Sequence, residues 1–148
     1  MTKIITEALS WFESKQRNDD TIIVLKSGAP EALIDSVYTA HGDRLPDDWI
    51  YNTYYHVLEA FSGYTIENAD DLEKNRQEIV DGLVDVYTAN LTAWLASNNN
   101  NVSYITEAQE EYGDGAQTDG FKILQMAQYK AIDEIAGEVI NYLTSQEE

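Results

Sequence analysis

Carboxylates are the side chains of this sequence whose number and spacing could do chemistry. Between residues 77 and 121 the chain carries eight of them and no lysine or arginine. On a helix, residues three or four positions apart lie about 5–6 Å from each other, and successive phosphates of a nucleic-acid strand have a broadly similar spacing. Such a row offers electrostatic chemistry, because it attracts a surface that carries positive charge.

Two groups of residues form the candidate partner-binding surface. The first recurs on one long predicted helix, opposite its apolar stripe. Its members are Asp71, Glu78, Asp81 and Asp85. The second interleaves carboxylates with tyrosines, whose rings supply rigid apolar area and a hydroxyl for a partner. Its members are Tyr104, Glu107, Glu110, Glu111 and Tyr112. For each group the alternative is a helix face that is only solvated.

No signature of catalysis or of metal binding accompanies these carboxylates. Counted from Asp114, the third and sixth positions of the acidic loop are Ala116 and Asp119, where an EF-hand requires an oxygen ligand and a glycine. His56 and Glu59 share a helix face, but a metal site needs more ligands. No phosphate-binding loop, nucleophile elbow or zinc spacing occurs. We therefore expect no enzymatic activity, no metal and no cofactor.

The net charge limits the kind of partner. The chain has 27 acidic and 9 basic residues, for a formal charge of -18, whereas solubility asks a small domain for a magnitude of about 2–8. Because phosphates would be repelled, direct binding to nucleic acid or to an anionic membrane is disfavoured. A basic protein is the expected partner. The alternative explanation of the charge is an acidic protein from a salt-rich host.

Composition indicates a folded protein. Of the 148 residues, 43% are hydrophobic, which is enough for the core of one domain spanning 1–148. There are no cysteines, so disulfides and thiolate metal sites are excluded. The first residues lack a signal-peptide pattern, and no apolar run approaches the about 20 residues of a membrane span. We expect a cytoplasmic location.

The pattern of caps and breakers predicts an all-α fold of about six or seven helices. Thr2 is expected to cap a first helix whose apolar face extends to Phe12. Residues 22–25 are apolar and mostly β-branched and could form a strand, but no partner strand is evident. A helix that starts near Pro30 should end at Gly42.

The remaining helices are predicted from prolines, glycines and apolar spacing. Pro46 and Gly63 bound a helix whose core face is Ile50, Tyr54, Val57, Leu58 and Phe61, with Tyr51 and Tyr55 placed to reach a partner. Residues 68–97 should form the longest helix. Its apolar stripe is Leu72, Ile79, Leu83, Val86 and Trp94. A last helix, capped by Asp119, should bury Phe121, Leu124, Ile132, Ile135, Val139 and Leu143.

Several segments carry a resemblance. They are HGDRLPDDWIY (41–51), DVYTANLTAWLAS (85–97), YITEAQEEYG (104–113) and the pair Gln128-Tyr129. Together they resemble small acidic uncharacterised proteins of phages and other mobile elements. The resemblance implies a setting and no catalytic residue. Mobile elements encode small acidic inhibitors of host defence, and this chain is similar to anti-CRISPR and anti-restriction DNA mimics in charge and size.

Two functions follow as hypotheses. The leading one is an inhibitor that mimics nucleic acid and blocks the basic cleft of a host defence protein. The alternative is a phage helical adaptor, or a self-associating interaction protein, whose contacts come from apolar and aromatic surface. The oligomeric state stays open.

Overall fold

The computed structural model of the chain describes residues 1–17, 20–39, 47–88 and 120–146. These residues form five helices and one two-stranded antiparallel sheet. In chain order the elements are α1 (Thr2–Leu9), β1 (Phe12–Arg17), β2 (Asp20–Leu25), α2 (Glu31–Thr39), α3 (Asp47–Ser62), α4 (Ala69–Thr88) and α5 (Gly120–Gln146). The described part is mostly helical, as predicted, but it is not all-α, and six or seven helices are not confirmed. None of its helices has the length and apolar character needed to cross a membrane.

The N-terminal helix is shorter than the sequence predicts. Thr2 lies inside α1, and Met1 takes the N-cap position without a side-chain hydrogen bond, so the predicted cap is wrong. The helix ends at Leu9, where the Ser10 hydroxyl donates to the Glu7 carbonyl. Serine side chains that bond to nearby backbone compete with helix continuation.

Phe12 begins a strand rather than extending α1. It pairs with Leu25 in an antiparallel register that ends with Arg17 opposite Asp20. This strand is the partner that residues 22–25 lacked in the sequence. It was missed because β1 has only Phe12 as an apolar residue, and hydrophobic alternation is the signal by which half-buried strands are found.

The helices α2 and α3 begin directly after Pro30 and Pro46, as predicted. The predicted stop of α2 at Gly42 lies outside the described residues. α3 ends one residue before Gly63. The predicted core face of α3 is confirmed, because its members are fully or almost fully buried. They are Ile50, Tyr54, Val57, Leu58 and Phe61.

The helices α4 and α5 form the most extensive helix pair of the described part. α5 has 27 residues and α4 has 20, so α5 is the longest helix of the described part, and the predicted continuation of α4 to residue 97 lies outside the described residues. In α4, Leu72 and Ile79 are buried as expected, but Val86 is 64% exposed and does not belong to the core. Trp94 lies outside the described residues.

One hydrophobic cluster joins side chains of all five helices with Phe12 of β1. α5 runs against each of the other four helices. The predicted core residues of α5 whose side chains are described are confirmed, since they have no exposed surface. They are Ile132, Ile135, Val139 and Leu143. Burial of such side chains is the main favourable term in folding.

An ion pair fixes α4 on α5. The Arg76 Nε donates to Asp133 Oδ1 at 3.0 Å, and its Nη2 donates to the Asp133 carbonyl at 3.0 Å. Gly137 leaves room for this guanidinium, because a Cβ at that position would lie 2.8 Å from Nη2. The pair therefore sets which side of α4 faces away from the core.

A buried polar link ties α2 to α3 and α5. The Ser36 and Tyr54 hydroxyl oxygens lie 2.8 Å apart, and the Ser36 hydroxyl is 3.4 Å from the backbone oxygen of Glu138. Tyr54 has no exposed surface. Loss of solvent raises the pKa of Tyr54 well above its ordinary value, because the charged phenolate would be poorly solvated there.

Candidate functional site

The side of α4 that points away from the core carries a row of exposed carboxylates. Glu78, Asp81 and Asp85 are exposed, and we refer to these three as the acidic row. Their spacing of three and then four residues extends over about 10 Å of helix axis at 1.5 Å per residue. The row thus presents negative charge from a regular element and not from a loop.

The cations of α4 do not lie within the row. Lys74 and Arg76 both precede it, and no basic residue follows them in the helix. Arg76 also lies 3.5 Å from Glu73 in addition to its pairing with Asp133. The positive charge of Arg76 is therefore directed to the α5 side. Lys74 is exposed one helical turn before Glu78, so Asp81 and Asp85 are the members of the row farthest from a cation of α4.

Asp71 has a different role from the other predicted residues of this helix. Its carboxylate accepts hydrogen bonds from the backbone of Glu67 at 2.9 Å and of Asn68 at 3.4 Å. In return, the Asn68 side-chain oxygen accepts from the Asp71 backbone at 3.3 Å. This reciprocal arrangement is a capping box, and it holds the start of α4. Asp71 is half-buried and stands apart from the exposed row.

Neutral side chains contact two members of the row. The Asp81 carboxylate accepts from the Gln77 amide at 2.9 Å. The Glu78 carboxylate lies near the Tyr64 hydroxyl, and the pKa of Tyr64 is raised first by lost solvent and then by that negative charge. Neutral donors orient carboxylates without cancelling their charge, so the row stays anionic.

The second predicted group lies outside the described residues. Its members are Tyr104, Glu107, Glu110, Glu111 and Tyr112. The acidic loop that starts at Asp114 lies there as well. The structure therefore places the row on α4 and gives no position for this second group.

Beside the row, a groove runs between α3 and α4. It has a volume of about 330 Å³, and its lining residues are His56, Glu59, Ala60, Leu83 and Val86. The sequence did not reveal it, because the spacing of Val86 fits the apolar stripe that Leu72 and Ile79 bury. The His56 Nδ1 lies 3.6 Å from Glu59 Oε1 at its α3 side.

A pair of tyrosines forms a second partly exposed aromatic surface. The Tyr38 hydroxyl is hydrogen-bonded to that of Tyr51, and their rings meet edge to face at 6.1 Å. Tyr38 is 43% exposed. Tyr55, which was also expected to reach a partner, lies half-buried with its ring 5.7 Å from Phe12.

Metal ligands do not cluster in the part of the chain that the structure describes. Residues 1–17, 20–39, 47–88 and 120–146 contain no group of three or more histidine, aspartate or glutamate side chains that could hold a metal ion. The carboxylates of α4 are spread along the helix, which suits a long charged partner better than a single ion.

The chain was compared with protein-family models, with curated proteins and with solved structures, and none of them matches it.

Proposed function

We propose that this protein is an acidic nucleic-acid mimic that inhibits a host defence protein of the kind targeted by anti-CRISPR or anti-restriction proteins. The acidic row on α4 would occupy the basic cleft in which that protein binds DNA or RNA. The observation that carries the proposal is the exposure of Glu78, Asp81 and Asp85 on one regular element, without a cation among them. The protein would act in the host cytoplasm by occupying the cleft, without catalysis.

The position of Asp85 costs stability, which supports a role of this charge beyond solvation. Carboxylates near the C-terminal end of a helix oppose its dipole, at about 0.3–1 kcal/mol each. Asp85 stands in that position in α4, and none of the five described helices has a basic residue in its last turn. Stability lost in this way is accounted for if the charge serves binding.

The rigidity of α4 also supports the proposal. The helix is fixed to α5 by Arg76 and by buried Leu72, Ile79 and Val80. Carboxylates on a fixed helix lose little freedom on binding, which lowers the entropic cost of association. Matched charge across an interface also accelerates association.

The test is capture of partners from host lysate by the full chain at low and at moderate salt. We expect a nucleic-acid-binding protein that is released by DNA or RNA and by salt, because screening shortens to about 8 Å at physiological ionic strength. Charge reversal of the row, with Glu78→Lys, Asp81→Lys and Asp85→Lys combined, should abolish this capture.

The matched control reverses three exposed carboxylates of α1 and α2. It combines Glu7→Lys, Glu31→Lys and Asp35→Lys, so the change in net charge is the same. This variant should still capture the partner. Equal loss in both variants would show that only total charge matters, and capture that resists salt would rule out mimicry.

An adaptor that binds through apolar surface is the second candidate function. Two large hydrophobic residues of the described part, Tyr38 and Val86, are exposed, and exposed aromatic residues are enriched where proteins bind each other. For an adaptor, charge reversal of the row should leave partner capture intact. Tyr38→Ser should then abolish it.

A further inference from the structure

We propose that the groove between α3 and α4 receives an apolar side chain from a cationic protein segment, whose lysines or arginines pair with Glu59 and Asp85. The inference rests on the proposed function, because it takes the partner to be basic. To the electrostatic attraction of the proposed function it adds one specific contact, at which an apolar side chain of the partner is anchored.

The groove has the size and the lining for such an anchor. Ala60 of α3 faces Leu83 and Val86 of α4 across about 330 Å³. At roughly 30 Å³ per water molecule in the liquid, this volume equals on the order of ten waters, so a leucine or phenylalanine side chain fits. Val86 leaves 64% of its surface in water, and covering that surface would favour binding.

The borders of the groove carry negative charge. The Glu59 side chain is 55% exposed on the α3 side. On the α4 side, the exposed Asp85 directly precedes Val86, and Glu78 lies two helical turns before Asp85. An apolar centre with a charged border is the usual arrangement of a protein-binding hot spot.

The charge decides which occupant the groove takes. A second copy of this chain would bring a further net charge of -18 to the same place, and nucleic acid or anionic lipid would be repelled in the same way. A cationic protein segment is attracted. The negative charges at the borders of the groove would raise the rate at which this segment associates, and its buried apolar side chain would slow dissociation.

The experiment measures fluorescence anisotropy with two labelled synthetic peptides of equal charge. One repeats Lys-Lys-Leu, and the other repeats Lys-Lys-Ser. We expect the full chain to bind the leucine peptide at least about tenfold more tightly, a factor that corresponds to about 1.4 kcal/mol. In Val86→Gln this preference should disappear, while binding to the serine peptide stays unchanged.

Two further variants make the result specific. Thr144→Gln introduces a glutamine at an exposed position of α5, away from the groove, and should keep the preference for the leucine peptide. Val86→Met keeps an apolar side chain in the groove and should keep this preference as well. Circular dichroism would show that each variant is folded.

The outcomes separate the groove from the proposed function. Equal binding of the two peptides, or a leucine preference that persists in Val86→Gln, overturns the groove while leaving a charge-based function standing. Failure of both peptides to bind at low salt overturns both.

Discussion

Arg76 shows how one side chain can direct the charges around it. Its guanidinium donates to the side chain and the backbone of Asp133, and it rests over Gly137. Charge-assisted hydrogen bonds of this kind contribute about 1.5–3 kcal/mol when shielded, and less here because Asp133 is partly exposed. The contact keeps one of the 9 basic residues away from the acidic row.

The first prediction concerns the room at Gly137. In the wild-type background, Gly137→Ala should raise the free energy of unfolding by less than the about 1 kcal/mol by which alanine is favoured over glycine in a helix. The reason is that the new Cβ would displace the Arg76 guanidinium. In an Arg76→Ala background the full gain should return. Urea unfolding of the four proteins of this double-mutant cycle measures the coupling, expected at about 0.5–2 kcal/mol.

Gly82 supplies the control for this cycle. A Cβ at Gly82 meets no atom within 4 Å, so Gly82→Ala should stabilise both backgrounds equally. If Gly137→Ala is equally favourable with and without Arg76, the guanidinium does not need the glycine.

The second prediction uses the raised pKa of Tyr54. Below the unfolded pKa of about 10 both states hold the phenolic proton, so its contribution to stability is fully present. Above it, the unfolded state ionises while folded Tyr54 stays protonated. Stability should then fall by about 1.4 kcal/mol per pH unit for this group.

Urea unfolding between pH 9 and 12 measures this loss. Tyr54→Phe should make the alkaline decline shallower by one proton, although Tyr142, whose pKa is also raised by burial, still contributes. Ser36→Ala should be less stable at every pH with an unchanged decline, because it keeps the titrating group. Identical slopes in the wild type and Tyr54→Phe would contradict the assignment.

Single residues also mark how far the sequence could predict the site. Glu78, Asp81 and Asp85 were placed on the outer face of a helix by spacing alone, and they are exposed. Asp71 follows the same seven-residue spacing, yet it caps the helix, because its distance from Asn68 matters more than its distance from Glu78. Val86 was assigned to the core by spacing, but burial also depends on which neighbouring helix covers a position.

At the scale of elements, α4 has favourable charges at its start and one unfavourable charge near the end of its described part. Asp70 and Asp71 stand in the first turn, where the helix dipole favours carboxylates, and Asp85 stands near the other end.

The third prediction compares two substitutions that each remove one carboxylate from α4. Asp71→Asn should cost about 0.3–1 kcal/mol, because the amide oxygen can still accept the capping hydrogen bonds but the negative charge that the helix start favours is lost. Asp85→Asn should gain about 0.3–1 kcal/mol, because it relieves the dipole and repulsion. Thermal unfolding compares them at equal net charge. Destabilisation by Asp85→Asn would mean that this carboxylate has a stabilising partner.

Strand β1 is the element that could not be predicted. Strand β1 reads FESKQR, and only Phe12 is apolar. Its place is set by backbone pairing with β2 and by the contact of Phe12 with Tyr54, whose ring centroid lies 5.9 Å away. Such tertiary contacts leave no periodic trace in the sequence, whereas α3 and α5 bury regular apolar faces and were found.

At the scale of the whole molecule, charge repulsion opposes folding everywhere. The fourth prediction is that the protein stays folded at about 10 mM salt and that its melting temperature rises with added NaCl, since the Debye length shrinks from about 30 Å to a few Å. The triple lysine variant of the row carries -12 instead of -18, because three charges change by two units each. Added NaCl should raise the melting temperature of this variant by less than it raises that of the wild type.

Circular dichroism at low salt also tests whether the charge reflects adaptation to a salt-rich host. A protein adapted to such a host would lose its helical circular-dichroism signal at low salt, because hydrated cations bound to its carboxylates hold it folded. Retention of the signal would favour binding as the purpose of the charge.

The central place of α5 has a consequence during synthesis. Every other described helix buries apolar surface against α5, yet α5 comes last among the described elements along the chain. At roughly 5–20 residues per second, α1 to α4 leave the ribosome before the helix that completes their core exists. Nascent chains therefore expose the apolar faces of these helices for several seconds, during which neighbouring chains on a polysome can aggregate. The high net negative charge makes nascent chains repel each other, so the excess of acidic residues also reduces aggregation during synthesis.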